Sequence, residues 1–286
     1  MSNNAKGLAI TSLGVLIMSL ESLFVKFTSI DAITFCFYLG IFIFISMAST
    51  LLVKQRDVIK KITTTSFPIL IICALLMGSS NIFFISGLKN TSVANVVLIF
   101  GTAALFSSLF AFLIYKEKIT KNILIASFFM LFGLFIIFND ELEIGNMLGN
   151  IYALLSVATF SLAFVLLVRH TNISRVALTA TVGIWMSIIS LFLASSLSVD
   201  LKTLGIIAIM GLFITPVARV LMTNGTKYIN ASEVTLLMII ETIMAPVWVW
   251  LFLNEIPSSN TFIGGSIIIV TLIVNSLYTL KKGNAT

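Results

Sequence analysis

Three ionisable residues stand alone inside long apolar stretches: Glu21 within 7–25, Arg219 within 203–226 and Glu241 within 234–254. A carboxylate there can hold an amine or carry a proton, and a guanidinium can grip a carboxylate through two parallel hydrogen bonds. A charge at the centre of a bilayer costs about 2.5–3.5 kcal/mol on insertion scales, so each must face a partner or a cavity. Glu241 shares a helical face with Met238, Ala245 and Trp248. It is either a site carboxylate, for a substrate amine or a coupling proton, or a fixed structural partner of Arg219. Arg219 has Thr215 and Thr223 one turn to either side, a stripe suited to a substrate carboxylate; the alternative is an Arg that snorkels to the nearby helix end. Glu21 either binds cationic groups in an outer vestibule or is satisfied by Lys26, five residues on, or by loop backbone. Trp185, mid-stretch, packs the core or lines a cavity. Glu117 and Glu255 read as loop or cap residues, with gating as the other role open to them.

Other chemistries are poorly served. His170 is the one histidine, and Cys36 and Cys73 lie in separate apolar runs. They provide no metal cluster and no disulfide framework, so no metal or cofactor is expected. There is no Gly-x-Ser-x-Gly, no His-Glu-x-x-His and no phosphate-cradling Gly-rich loop ending in Gly-Lys-Ser/Thr, so neither catalysis nor ATP-driven work is encoded.

The elements that position these residues follow from composition. The 286 residues are 59% hydrophobic and 10% charged, with a mean hydropathy of +1.13. A soluble domain carries about 25% charged residues, so this chain cannot clothe itself in water. Crossing the hydrocarbon takes about 20 apolar residues as a helix. Seven stretches have the length and no charge: 32–53, 66–88, 90–115, 122–139, 144–168, 176–199 and 256–280. With the three that hold Glu21, Arg219 and Glu241, the reading is ten transmembrane helices, an all-α integral membrane protein. The bilayer is the chain's main partner. Monomer and homodimer stay open.

The net charge of +6 does not point to nucleic acid, because the bases lie in short loops between spans. Thirteen of the 17 Lys and Arg fall in one set of alternate loops and termini, three (Lys26, Lys89, Lys202) in the other, and Arg219 inside a span. The positive-inside rule then places both termini in the cytoplasm.

The two halves repeat. Gly87-Leu88-Lys89 before Ser92-Val93-Ala94 is echoed by Gly225-Thr226-Lys227 before Asn230-Ala231-Ser232, and Glu117 by Glu255, at an offset of 138 residues (225−87 = 138; 255−117 = 138). Ser19-Leu20 is echoed by Ser161-Leu162 at 142 (161−19 = 142). Asn81 thus holds the position equivalent to Arg219 (219−138 = 81) and is a candidate hydrogen-bonding wall. Five helices per half make the repeats inverted, 1–143 and 144–286. Inverted repeats place a substrate site near the midplane, where the halves meet.

The run from Asn81 to Asn95, and Glu241-Thr242-Ile243-Met244-Ala245-Pro246-Val247-Trp248 followed by Leu253-Asn254-Glu255, resemble the helix signatures of EamA-type drug/metabolite transporters. The resemblance covers essentially the whole chain. It implies a ten-helix carrier of the bacterial cytoplasmic membrane that moves small metabolites, often amino acids or related compounds, by alternating access. Where many relatives carry an Arg in the second helix, this chain reads Phe37-Tyr38-Leu39-Gly40, and Ser108 stands at the position equivalent to Pro246. The readings outside a carrier are a lipid flippase and a passive, channel-like facilitator. The candidate substrate-binding or coupling set is Glu241, Arg219, Asn81, Glu21, Trp185, Thr215 and Trp248.

The charge asymmetry makes a topological prediction. A single cysteine at Glu141, in a background with Cys36 and Cys73 replaced, is expected to react with an impermeant maleimide applied outside intact cells. Reaction from the cytoplasmic side alone would reverse the orientation.

Overall fold

The computed structural model describes residues 3–54, 67–119, 121–141, 147–170, 173–225, 228 and 231–283, all helix, turn or loop. Residues 55–66, Glu143, Lys227 and the Thr223 side chain lie outside that description. Among the described residues, eight helical segments are long and apolar enough to cross a membrane: Ala5–Lys26, Ala32–Val53, Phe67–Asn90, Val93–Tyr115, Lys121–Phe138, Met147–Leu167, Arg175–Leu193 and Leu201–Met222. Two shorter apolar helices, Leu237–Leu253 and Ser259–Asn275, complete a ten-helix membrane protein. In chain order these are the first to tenth spans.

Helix starts are made by short polar side chains. The first N–H groups of a helix have no partner within it, and an oxygen just before them supplies one. Asp31 accepts from the amides of Ile33 and Thr34 at 3.0 and 2.9 Å. Ser92 accepts from Asn95, Ser174 from Ala177, Asp200 from Thr203 and Ser258 from Thr261. Partial burial works against the Asp31 carboxylate, but its bonds from Thr34 and Ile33 outweigh this and hold it below the ordinary aspartate value.

Three spans read as continuous in the sequence are interrupted. The first divides into Asn3–Met18 and Glu21–Lys26, where Ser19 Oγ donates to the Leu16 carbonyl at 2.6 Å. The fourth divides into Val93–Phe100 and Ala103–Tyr115, where Thr102 Oγ1 donates to the Ile99 carbonyl at 2.6 Å. Such back-bonding hydroxyls bend helices. The eighth carries a π-helical turn, Met210–Ile214, just before Pro216. Proline has no N–H to offer the carbonyl four residues earlier. That carbonyl, Leu212, is served by Ser46 Oγ from the second span at 2.9 Å, as lipid surroundings require.

Packing follows the inverted repeat. The first span lies on the eighth and the third on the sixth, while the second lies on the seventh and the fifth on the tenth. Each pair is either its own equivalent under the repeat or maps onto another pair. Glycines set the closest approaches, as is usual where lipid removes the hydrophobic drive for association. A Cβ on Gly40 would stand 2.6 Å from the Gly183 carbonyl oxygen, and one on Gly183 would stand 2.6 Å from that of Gly40. Between the third and sixth spans, Ser80 and Ser156 each donate to the other's carbonyl at 2.9 Å.

The glycine contact makes the second prediction. Gly40→Val is expected to lower stability by about 1–3 kcal/mol through overpacking, read as earlier thermal unfolding in detergent. Gly205→Ala, where no atom lies within 4 Å of the added Cβ, should be neutral or mildly stabilising.

Candidate functional site

At mid-depth, the first, second, third and eighth spans enclose a constricted cavity. Glu21 and Val25 line it from the first span, Leu39 and Ile43 from the second, Asn81, Phe84 and Ile85 from the third, and Met210, Thr215 and Arg219 from the eighth. Its empty space is about 300 Å³, narrow enough that only about one water fits at its centre. The polar groups come equally from the two repeats. Glu21 and Asn81 belong to the first, and Thr215 and Arg219 belong to the second.

The local folding explains each placement. Glu21 opens the short helix after the Ser19–Leu20 break, and the Arg219 guanidinium and the Thr215 hydroxyl are the polar groups beside it. One Glu21 oxygen, Oε1, is buried and has no hydrogen-bond partner. The π-helical turn and Pro216 set the phase of the eighth span, so that Thr215 and Arg219 face inward together. Arg219 Nη2 donates to Asn81 Oδ1 at 3.4 Å, joining residues equivalent under the repeat. Glu241, part-buried in the ninth span, is not one of the lining residues but is close enough to feel the charges of both Glu21 and Arg219. The region therefore holds two carboxylates and one guanidinium, with a threonine and an asparagine as neutral hydrogen-bonding groups. That set can hold a cationic and an anionic group at once.

Other sequence readings change. Lys26 does not serve Glu21: its Nζ stands 3.0 Å from Glu255 Oε2 and donates to the Thr91 carbonyl at 3.0 Å. Sequence spacing put Lys26 within reach, but the helix carries it to the span's end. Trp185 packs against the core and is not among the cavity's lining residues. Trp248 is held by a specific bond, its Nε1 donating to Ser19 Oγ at 2.9 Å, which fastens the ninth span at the break in the first. Ser107, Ser108 and Ala111 of the fourth span border a second groove with Phe164 and Arg169 of the sixth span.

Sequence patterning gave no site role to Ser19 or to the lining residues Ile43, Phe84 and Met210. It also missed a buried polar chain in which Thr261 Oγ1 donates to Asn95 Oδ1 at 2.7 Å and Asn95 Nδ2 donates to Asn150 Oδ1 at 3.4 Å. The signal available was a polar residue within an apolar run, which Asn95 and Asn150 both provide.

Known proteins resemble the chain along its length. The sequence model of the EamA-like transporter family matches residues 5–139 and 147–277. An uncharacterized transporter of Clostridium kluyveri is 26% identical over 254 residues, which is 84% of this chain and 80% of that one. The uncharacterized transporter YdfC of Bacillus subtilis is 26% identical over 190 residues, 63% of this chain and 61% of that one. A solved crystal structure superposes over 97% of this chain and 98% of its own with a TM-score of 0.67 at 14% identity, and so shares the fold.

The Trp248–Ser19 bond generates the third prediction. In a cycle of Trp248→Phe, Ser19→Ala and the double substitution, a coupling of about 0.5–1.5 kcal/mol is expected in unfolding experiments. Additive effects would show that the bond contributes nothing to holding the ninth span.

Proposed function

The chain belongs to the EamA-like transporter family, and on that footing we propose that it moves a small metabolite, an amino acid or related zwitterion, across a bacterial cytoplasmic membrane by alternating access. The observation that carries this reading is the cavity between the repeats, where Glu21 and Asn81 of one half face Thr215 and Arg219 of the other. Groups contributed by both halves are a means by which relative movement of the halves can make and break a site.

The charges support a zwitterionic solute. With all three ionised, Glu21, Glu241 and Arg219 sum to one negative charge. An amine balances the carboxylates, and a solute carboxylate takes the planar donor face of Arg219, which suits a bidentate grip. Asn81 and Thr215 supply hydrogen bonds without adding charge. A zwitterion adds no net charge, so the site keeps its one negative charge whether occupied or empty; a proton on a carboxylate neutralises it, and Glu241 is the candidate to carry that proton. The loop charges support a cytoplasmic position for both termini.

Counterflow in proteoliposomes tests the mechanism. A carrier accumulates labelled solute against an unlabelled gradient of the same compound, whereas a passive facilitator does not, and a flippase moves lipid instead. The solute is found first by a thermal-shift screen of amino acids, nucleosides and polyamines, since a native-state ligand raises apparent stability by mass action. With that solute, Glu241→Gln is expected to abolish accumulation driven by a proton gradient while leaving exchange largely intact. Normal gradient-driven accumulation by this variant would remove Glu241 from coupling.

A further inference from the structure

Two ion pairs at opposite ends of the bundle are repeat equivalents. At the end away from the termini, Lys26 of the first span pairs with Glu255 after the ninth. At the end carrying the termini, Arg169 of the sixth span pairs with Glu117 after the fourth. Glu117 maps onto Glu255 at the offset of 138 (255−117 = 138), and Lys26 maps to within one residue of Arg169 (169−26 = 143, against the offset of 142 for these spans). Each pair also joins the two halves of the protein.

Their surroundings differ. Glu255 uses its second oxygen, Oε1, to accept from the Val93 amide at 2.7 Å, at the first residue of the helix Val93–Phe100. Its side chain is 26% exposed and that of Lys26 is 20% exposed. All of that helix except Phe100 is buried, and the helix packs on the sixth, ninth and tenth spans. Lys89 extends the seal by donating to the Thr28 hydroxyl at 2.9 Å. At the other end, Glu117 and Arg169 are 49% and 52% exposed. They stand at the mouth of a groove of about 690 Å³ that runs past Ser107 and Ser108. The half-span Ala103–Tyr115 beside it has no buried residue. The fourth span is thus buried and clamped at its Val93 end, and at its Tyr115 end it packs on the sixth span but stays exposed beside the groove. The partner that Val93 provides for Glu255 has an equivalent for Glu117 in Ala231 (231−93 = 138), the first residue of the ninth-span helix Ala231–Leu253.

We propose that Glu255 and Glu117 are matched gating carboxylates: each stays paired with its base, and each caps the first turn of the opposite half's helix, at Val93 or Ala231, when its own side is shut. The structure then has the Glu255 gate closed and the Glu117 gate open. Closing one gate while the other opens needs no new partner, because the same set of bonds is exchanged between equivalent positions. A carboxylate accepting a helix N-terminal amide and a Lys together makes charge-assisted bonds, whereas an exposed pair like Glu117–Arg169 contributes little. This proposal rests on the alternating-access reading.

The test uses the full chain in nanodiscs with Cys36 and Cys73 replaced. Spin labels at exposed Asn90 and Ile256 report one end, and labels at exposed Lys118 and Tyr228 report the other. Glu255→Gln is expected to shift the populations about tenfold toward a long Asn90–Ile256 distance and a short Lys118–Tyr228 distance. Glu117→Gln should shift them the other way. Lys26→Gln and Arg169→Gln should follow their respective carboxylates, which keeps the test valid if one variant fails to fold. Two interconverting distances at each end, unmoved by these substitutions or moved in one direction by both carboxylates, would overturn the gates and leave alternating access standing. One fixed distance at both ends in every variant would overturn both.

Discussion

A guanidinium held between the third and eighth spans is the feature around which the polar interior is arranged. In hydrocarbon, Arg219 must be met by acceptors and opposing charge or it costs several kcal/mol. Asn81 supplies an acceptor from across the cavity, and Glu21 and Glu241 supply the field. These three come from the third, first and ninth spans, so one side chain fixes which faces of four helices must turn inward. Polar Thr215 then falls on the same face one turn away. What remains around the cavity is apolar, from Leu39 and Ile43 to Phe84 and Met210, which keeps the effective dielectric low and the charges strongly coupled.

Rigid and deformable parts are separated along the helices. The glycine contact at Gly40 and Gly183 and the reciprocal serines Ser80 and Ser156 allow little sliding, because backbone oxygens are the neighbours. The interruptions at Ser19–Leu20, Gly101–Thr102 and Met210–Ile214 fall instead on the first, fourth and eighth spans, of which the first and eighth carry site residues. Breaks in the backbone ladder are where a helix bends at least cost. The second, third, sixth and seventh spans, packed in the tight pairs, have no such break among the described residues.

The ten spans and the charged members of the candidate site were legible because lipid makes both signals strong: about 20 apolar residues per crossing, and a penalty on every isolated charge. Arg219, Asn81, Glu21 and Thr215 do meet, and Glu241 lies in their electrostatic range. What spacing within one helix does not give is the direction of a face relative to other helices. Lys26 lies near Glu21 in sequence, but its partner is 229 residues away at Glu255 (255−26 = 229). Trp248 reads as a lining residue from its place on the Glu241 face, but its N–H is taken by Ser19. The continuous apolar stretch 203–226 hid the π-helical turn, because hydropathy carries no information on hydrogen-bond phase.

Symmetry in this protein divides by role. Glu21, Arg219 and Glu241 have Ala163, Asn81 and Ala103 as repeat equivalents (21+142 = 163; 219−138 = 81; 241−138 = 103), so neither the two charges that line the cavity nor Glu241 nearby is duplicated. The ion pairs at the two ends are duplicated, Lys26–Glu255 against Arg169–Glu117. A solute has no twofold symmetry, so a site that recognises it gains nothing from repeating a charge, and a second Arg or a further carboxylate would add desolvation cost without a ligand to balance it. The ends of the bundle face the opposite demand. If the two conformations are to have similar energy, a bond broken at one end must be remade at the other, and a two-state element is useful only when its states lie within a few kcal/mol. Repetition of the ion pairs, as the proposed gates, meets that condition directly. Under the proposed alternating access, the divergence of the cavity and the preservation of the ends are two results of one constraint, a scaffold that binds asymmetrically and moves symmetrically.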